Sequence, residues 1–527
     1  MASDVYSILA PLLVLLATVP LLKWVRVAQR EHYLTGRMWI FIRLWYRDSF
    51  GSFFGVIATL IATVLAAAPG LALPAKLIAA SVGVGGGLLL PVGLSLRGST
   101  GKLALTARTK RLIVVSFALD LAVAALFSLV GMGLASGVLL GMAAPMVVEV
   151  ALRITGPLEA RMMSRFVEQA TSTLKRVRPR VVAITGSYGK TTTKNYATAL
   201  LEGSYQALAS PASFNNRGGL ARTINEHLIP GTEVFIAEMG TFGPGEIASL
   251  CEWIPPEIAV LTALGPVHLE RFGTEAEILR AKLEITAGAR VVIVNVDIPR
   301  LALAAKMLTN AGGKRVVAVS AVGLDADVLV KPNDEGELVI YISGTMLARV
   351  PANDLAATNL GCAIAVALEL GVEPAQIMER VTNLKSPANR LVAGVLPESG
   401  VEVLDDTYNS NPSGARRALD ALVRRGEPGC RRIVVTPGMV ELGRRQYPEN
   451  FRFAKAIGIS ASHLVIVGKT NRQALEDGAN EAMETPGHLL EGVVRVANRA
   501  EALAWVRRTA TAGDVILYEN DLPDHYP

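Results

Sequence analysis

The chain has 527 residues, of which 51% are hydrophobic, and its mean hydropathy is positive at +0.38. This length exceeds what one hydrophobic core supports, so we expect about three domains, part of them in a membrane. The net charge of +6 is concentrated in residues 1–150, which hold twelve Lys and Arg against five Asp and Glu. Because no basic stripe is interleaved with the few aromatic residues, nucleic acid is not the expected partner. Three scattered cysteines, Cys251, Cys362 and Cys430, indicate neither a zinc site nor a disulfide framework.

Apolar runs fill the N-terminal third of the chain. Each run is close to the roughly 20 residues that span a bilayer. Lys and Arg cluster in the loops after the first and third runs, and such loops stay on the cytoplasmic side. We therefore expect a multi-pass protein of the inner or plasma membrane, with about five spans in residues 1–155, the N-terminus outside and the remaining domains cytoplasmic. The five runs are residues 6–22, 53–73, 77–96, 112–132 and 134–152.

A carboxylate, Asp120, falls inside the fourth apolar run. An intramembrane carboxylate marks a functional site by default, and the alternative is an Asp bound by a polar partner within the helix bundle. The segment that follows the runs, residues 156–179, is polar and of mixed charge. We expect it to form a linker helix between the membrane and the soluble domains.

The next segment has the order of strand, phosphate-binding loop and helix. A β-branched run at 181–184 leads into GSYGKTT at 186–192, and a helix-compatible segment follows at 195–201. Glycines let the backbone turn tightly, so that successive N–H groups and the helix N-terminus point at an anion. Lys190 can then reach the outer phosphates of a nucleotide, and the hydroxyl of Thr191 can ligate Mg²⁺. The predicted nucleotide-binding residues of the loop are Gly186, Ser187, Tyr188, Gly189, Lys190, Thr191 and Thr192.

Four further motifs stand at turn-like breaks after apolar runs, where open α/β sheets collect ligands. They are SFNN at 213–216, EMG at 238–240, GPVHLE at 265–270 and AKLEI at 281–285. The alternation of short apolar runs with helical patterns predicts an α/β fold with a parallel sheet. Near residue 390 a second α/β unit begins. Its predicted strands are 401–404, which ends in DDTYNSNP at 405–412, and the later apolar runs 432–436, 464–467, 493–496 and 515–518. We expect this unit to be a small Rossmann-like domain that closes over the nucleotide.

Together and in this order, the motifs resemble the Mur ligase family over residues 180–527. The resemblance implies a P-loop central ATPase domain at 180–388 and a C-terminal Rossmann-like domain at 389–527, with a transmembrane region in place of the family's UDP-binding domain. It implies an ATP-dependent acid–amino-acid ligase that acts through an acyl phosphate, in peptidoglycan or other cell-envelope polymer synthesis. The implied cofactors are ATP, two Mg²⁺ ions and CO₂ as a carbamate on Lys282.

The resemblance also implies roles for particular residues. The catalytic residues would be Lys190, Glu238, His268, Lys282 and Arg390. The metal ligands would be Thr191, Glu238, His268 and Lys282. Beyond the phosphate loop, the nucleotide would contact Asn295, Arg390 and Asp406. The substrate contacts would be Asn215, Asn216, Tyr408, Asn409 and Asn411.

The sequence leaves the two substrates open. Leu355 and Ala356 stand where the family has a His-Asn pair, and Gly438 stands where it has an Asp. We expect a carboxylate and an amine as substrates, one of them lipid-linked or polymeric, together with membrane lipid and membrane partner proteins. One alternative is a ligase similar to poly-γ-glutamate synthases. Another, from a different class, is the subunit of a membrane transporter gated by nucleotide, for which Asp120 and the spans would argue.

Overall fold

The structure is a computed structural model, and it describes residues 18–47, 50–96, 102–130, 132–212, 214–323, 325–352, 355–384, 392–396, 400–407, 411–426, 429–521 and 526. In chain order it consists of a group of helices, a large mixed sheet and a smaller sheet, and helices pack on both faces of each sheet. The N-terminal helices are α1 (described over 18–30), α2 (Arg37–Arg47), α3 (Phe50–Ala67), α4 (Leu73–Leu89), α5 (Ala107–Leu129) and α6 (Gly133–Val177).

Two helices of the described chain are long and apolar enough to cross a membrane: α5, and Val138–Val177 within α6. Helices α3 and α4 are apolar but shorter, with 18 and 17 residues. Of the first predicted run, residues 6–17 lie outside the described residues. The arrangement with five spans therefore stays a prediction. Asp120 lies on the buried side of α5, where its side chain is 1% exposed and its Oδ1 has no hydrogen-bond partner among the described residues.

Helix α6 corrects the expectation of a separate linker helix. It runs unbroken through 45 residues, with Pro145 and Pro157 inside it, so the fifth apolar run and the expected linker are one helix. Its last turns belong to the core of the large sheet, where Val167, Ala170 and Leu174 pack with apolar residues of the strands. The core of that sheet thus begins before its first strand.

The larger sheet has nine strands within the described residues, in the order β2-β3-β1-β4-β5-β6-β7-β8-β9. Its pairings are parallel from β2 to β7 and antiparallel from β7 to β9. The strands are β1 (Arg180–Thr185), β2 (Ala207–Ala209), β3 (Val234–Glu238), β4 (Ile258–Leu261), β5 (Val291–Asn295), β6 (Arg315–Ser320), β7 (Val328–Pro332), β8 (Glu337–Ile342) and β9 (Thr345–Pro351). The helices are α7 (Lys190–Leu201), α8 (Arg217–His227), α9 (Glu246–Cys251), α10 (Leu269–Phe272), α11 (Glu275–Leu283), α12 (Pro299–Ala311), α13 (Ala357–Leu370) and α14 (Pro374–Thr382).

The smaller sheet has six strands within the described residues, in the order β10-β11-β15-β12-β13-β14, and β10 alone among them pairs antiparallel. Five of these strands lie where the apolar runs of the sequence predict them, because buried parallel strands are continuous runs of branched apolar residues. The elements are β10 (Val392–Leu396), β11 (Val401–Asp406), α15 (Pro412–Arg425), β12 (Arg432–Thr436), α16 (Gln446–Gly458), β13 (His463–Val467), α17 (Arg472–Met483), β14 (Gly492–Val496), α18 (Arg499–Thr509) and β15 (Val515–Glu519).

Candidate active site

The phosphate loop lies between the carboxyl end of β1 and the N-terminus of α7, and β1 is flanked in the larger sheet by β3 and β4. Gly189 has a φ of +82°, and a Cβ there would lie 2.3 Å from Asn359 Nδ2, so this position requires glycine. Lys190 begins α7 and its Nζ donates to the carbonyl of Gly186 at 2.8 Å. Thr192, on the first turn of the helix, is buried. The loop thus has the strand, turn and helix N-terminus that an anion site needs.

Glu238, at the end of β3, is the centre of a polar cluster beside this loop. Its side chain is almost fully buried, and Oε2 accepts hydrogen bonds from Thr191 Oγ1 at 2.9 Å and from Lys194 Nζ at 3.1 Å. The other oxygen, Oε1, accepts from Asn215 Nδ2 at 3.1 Å. The structure therefore brings Thr191, Asn215 and Glu238 together. Neighbouring strands β1 and β3 run parallel, and their carboxyl ends meet at one edge of the sheet.

Lys282 is buried on α11, with 4% of its surface exposed. Burial, and the positive charge of Lys190 nearby, lower the pKa of Lys282 well below its usual range. Since the neutral amine is the form that reacts with CO₂, this environment fits the predicted carbamate. The two lysines that the sequence assigns to catalysis thus lie close enough to repel one another.

Asn295, at the end of β5, is joined to the loop through a residue that the sequence analysis missed. Its Nδ2 donates to the carbonyl of Thr262 at 2.8 Å, and Thr262 Oγ1 donates to the carbonyl of Tyr188 at 2.6 Å. Burial raises the pKa of the Tyr188 hydroxyl to about 12, against the opposing effect of a hydrogen bond with Ser413 of α15. Through Tyr188 the loop also contacts the C-terminal unit.

His268 contacts the C-terminal unit rather than Glu238. Its Nδ1 forms a hydrogen bond with Glu441 Oε2. Burial alone would raise the pKa of Glu441, but His268, Arg271 and Arg37 together lower it to about 2. Within the described residues, no group of three or more His, Cys, Asp or Glu is arranged to hold a metal ion. The predicted joint ligation by Glu238, His268 and Lys282 therefore stays a prediction.

Comparison with known protein families identifies the same two α/β domains. The model of the Mur ligase middle domain matches residues 184–366, and that of the Mur ligase, glutamate ligase domain, matches residues 391–518. UDP-N-acetylmuramoyl-tripeptide--D-alanyl-D-alanine ligase of Mycobacterium tuberculosis strain CDC 1551 is 32% identical over 368 residues, which are 64% of this chain and 69% of that protein. The chain belongs to the Mur ligase family. The ligase of the same name from Bacillus subtilis is 28% identical over 360 residues, which are 66% of this chain and 75% of that protein.

Solved structures of Mur ligases share this fold. MurF from Acinetobacter baumannii has a TM-score of 0.58 and 23% identity, and the similarity covers 68% of this chain and 77% of that one. MurF ligase from Thermotoga maritima, solved in complex with ADP, has a TM-score of 0.56 and 24% identity, over 68% and 80% of the two chains. The resemblance drawn from the motifs is thus confirmed: this is a Mur ligase, an ATP-dependent enzyme that forms amide bonds.

Two predicted substrate contacts of this Mur ligase cap helices. Asn216 Oδ1 accepts the N–H of Gly219 at 2.9 Å at the start of α8, and Asn411 Oδ1 accepts that of Gly414 at 2.9 Å at the start of α15. Both asparagines stand at the N-cap, where a side-chain acceptor satisfies an N–H that the helix leaves open. Their predicted role with substrate stays untested. Arg390, Tyr408 and Asn409 lie outside the described residues.

Two further side chains, which belong to none of the sequence motifs, shape the loop of this Mur ligase. Lys194, one turn after Lys190 on α7, forms the buried pair with Glu238. Asn359, on α13, donates its Nδ2 to the carbonyl of Gly189 at 2.7 Å. Helical spacing from Lys190 was a usable signal for Lys194. A single sequence contains no comparable signal for Asn359, because this residue contacts the loop from a helix 170 residues later in the chain.

At the carboxyl edge of the smaller sheet, Asp406, Thr436 and Glu519 lie together. Thr436 Oγ1 donates to Glu519 Oε2 at 2.8 Å, and Glu519 Oε1 has no hydrogen-bond partner among the described residues. Burial, and the negative charge of Asp406, raise the pKa of Glu519 to about 8, although the bond with Thr436 opposes this. Asp406 is thus at the sheet edge where the nucleotide was expected, beside a carboxylic acid that the sequence analysis did not select.

We expect Glu519 to contribute a loss of stability to this Mur ligase as the pH rises from about 4.5 to about 8. Unfolded, Glu519 has its ordinary pKa of 4.5, whereas in the folded state it keeps its proton up to about 8. Between these values folding takes up a proton, so a rising pH favours unfolding. Glu519→Gln, which resembles the protonated acid, should flatten this dependence in thermal unfolding measured from about pH 5 to about pH 9. The exposed Glu481→Gln is the control, and a Glu519→Gln profile like that of wild type would contradict the assignment.

Proposed function

We propose that this Mur ligase is anchored in a cell membrane and joins a carboxylate to an amine through an acyl phosphate. The substrate carboxylate would attack the γ-phosphate of ATP and release ADP, and the amine would then displace phosphate to form the amide. The observation that carries this proposal is the contact of Thr191 and Lys194 with Glu238, because it sets oxygen and ammonium groups beside a loop suited to phosphate. The ADP complex of the Thermotoga maritima relative supports ATP as the phosphate donor.

The residues beside the loop fit Mg²⁺. Thr191 Oγ1 and Glu238 Oε2 are 2.9 Å apart, and hydroxyl and carboxylate oxygens are ligands that this ion prefers. We assign one ion to these two residues, and a second to His268 and to Lys282 as its carbamate. Water and the phosphates would complete the coordination, as is usual for Mg²⁺. When bound, the ions would neutralise charge on the phosphates.

The protein's own groups would hold the reacting atoms in place. The N–H groups of residues 186–192 and the N-terminus of α7 would bind the phosphates. Lys190, now bound to the carbonyl of Gly186, would turn to the γ-phosphate, where a fixed cation stabilises the transferring group. By resemblance to the family, Arg390 would also stabilise the transferring phosphate. Asn295 and Asp406 would contact the adenosine of ATP. Lys194 would keep the carboxylate of Glu238 oriented through their buried pair.

The N-terminal helices support a substrate at the membrane. Apolar side chains of α3 to α5 are largely exposed, among them Val64 at 68%, Ile78 at 66% and Val114 at 67%. Exposed apolar surfaces of this kind are favourable in contact with lipid and unfavourable in contact with water. With the Lys- and Arg-rich loops, they support about five spans, an outside N-terminus and cytoplasmic ligase domains. We propose a lipid-linked or polymeric precursor of the cell envelope as one substrate, of the same class as the muramoyl peptides named for the curated relatives.

The test is a screen of ADP release by the purified chain in detergent. Amino acids, dipeptides and lipid-linked muropeptide precursors would be offered in pairs, and mass spectrometry would identify any amide. We expect the correct pair to raise ADP release at least about tenfold over ATP alone, because an acyl phosphate accumulates little without its amine. Stimulation by glutamate alone would favour a ligase of the poly-γ-glutamate type. Nucleotide-driven flux into vesicles without any amide product would refute the proposal.

A further inference from the structure

The turn between α1 and α2 carries a buried carboxylate that contacts the ligase domains. Glu31 has 3% of its side chain exposed. Its Oε2 accepts a hydrogen bond from Arg37 Nε at 2.6 Å, within the helical region, and from Arg271 Nη2 at 3.3 Å, on α10 of the central domain. Arg37 also pairs with Glu270 of α10 at 3.5 Å. The helical region is thus joined to α10 by ion pairs shielded from water.

Arg271 connects this carboxylate to the contact between the two ligase domains. Its Nη2 lies 3.6 Å from Glu441 Oε1, while Oε2 of the same Glu441 binds His268 Nδ1. The backbone follows the same path, because the N–H of Glu270 donates to the carbonyl of Glu441 at 3.2 Å. One guanidinium therefore lies between Glu31 and Glu441, and one carboxylate lies between Arg271 and His268.

Aromatic contacts give a second connection between the same parts. The ring of His32, next to Glu31, lies 4.9 Å from that of Phe242, and Phe242 contacts the ring of His268 edge-on at 5.0 Å. The guanidinium of Arg271 lies over Phe242 at 4.7 Å. His268 itself has a φ of 54°, a left-handed conformation that few residues with a side chain adopt. The ring of His268 is held by its contact with Phe242 and by its hydrogen bond with Glu441.

We propose that Glu31 is a positioning residue for His268, so that the helical region is part of the catalytic apparatus and more than an anchor. This rests on the proposed function, in which His268 belongs to the ligase site. Glu31 balances the charge of Arg271. Without it, the buried guanidinium turns to its remaining partner, Glu441, and competes with His268 for that carboxylate, because an uncompensated buried charge is costly. The imidazole then loses its fixed orientation, and a misplaced catalytic group slows the reaction.

Hydrogen exchange tests this without reference to activity. The full chain in detergent would be compared as wild type, Glu31→Gln and Glu159→Gln, and exchange would be followed in peptides that contain the Glu270 amide. Glu159 is the matched control, because it forms a two-bond pair with Arg111 inside the helical region, at 2.6 and 3.0 Å. We expect about tenfold faster exchange at that amide in Glu31→Gln and no change in Glu159→Gln. Equal exchange in all three proteins would overturn the proposal.

Kinetics of ADP release separate positioning from a general loss of structure. In Glu31→Gln we expect kcat to fall about tenfold and the KM for ATP to change less than about twofold, since the phosphate loop is not touched. Glu31→Asp, which keeps the charge, should recover most of the rate. Glu31→Gln and Glu441→Gln should be non-additive, whereas Glu159→Gln and Glu441→Gln should be additive. A normal kcat in Glu31→Gln, or full additivity, would refute the role of Glu31. Absence of ADP release in wild type would instead refute the proposed function. The hydrogen-exchange result would still show whether Glu31 stabilises the contact between Glu270 and Glu441.

Discussion

Replacing Lys190 with alanine is expected to reduce ATP turnover about a thousandfold, because the change removes the cation beside the γ-phosphate from a loop whose backbone is otherwise complete. The change also removes the hydrogen bond of Lys190 Nζ with the carbonyl of Gly186, but Gly189, Asn359 and the start of α7 should keep the shape of the turn. The measurement is ADP release under saturating substrates, with nucleotide binding determined separately. We expect the affinity for ATP to fall less than the rate.

Lys306→Ala is the control for this variant, because Lys306 is exposed on α12. Its ATP turnover should equal that of wild type. Near-normal turnover in Lys190→Ala would show that the phosphate is transferred elsewhere, and the site assigned to residues 186–192 would then be wrong.

Replacing Lys282 with arginine should reduce ADP release by about a hundredfold, because a guanidinium is positively charged and forms no carbamate. The lowered pKa of Lys282 favours its neutral amine, the form that takes up CO₂. Wild-type protein in ¹³C-labelled bicarbonate should show a carbamate carbon resonance that is missing in Lys282→Arg. The rate of the wild type should also fall when dissolved CO₂ is removed.

Lys314→Arg is the matched control for the carbamate, since Lys314 Nζ donates to the carbonyls of Thr286, Ala287 and Ala289 at 2.8 to 3.1 Å. This variant should keep both the resonance and the rate. A resonance that persists in Lys282→Arg would place the carbamate on another amine. A full rate in CO₂-free buffer would exclude a carbamate from the reaction.

The local parts of this site were predictable from sequence. The order of strand, glycine turn and Lys-Thr at 181–192 predicts a strand, a tight turn and a helix by itself, because the turn needs glycine and the helix N-terminus follows directly. Glu238 and Asn215 could be found because parallel strands gather their carboxyl ends at one edge. Five strands of the smaller sheet were also predictable, because each is a short run of branched apolar residues.

Contacts between distant segments were not predictable in this way. His268 was expected beside a metal, and the structure joins it to Glu441, 173 residues later, through a contact that no spacing reveals. The pair of Glu31 and Arg271 spans 240 residues. Asn411 is a different case, because an asparagine directly before proline is a strong signal for the start of a helix. Helix capping is therefore sufficient to explain why an asparagine occupies position 411, without a contact to substrate.

The 45-residue helix α6 has a practical consequence for preparing the ligase domains by themselves. A truncation that begins at Arg180 would remove Val167, Ala170 and Leu174 from an apolar core that also contains Phe235, and would expose part of that core to water. Such a fragment should aggregate on expression, since the uncovered area is apolar and continuous. A fragment that begins about two turns earlier than Val167, and keeps its polar flank, is the one we would expect to stay in solution.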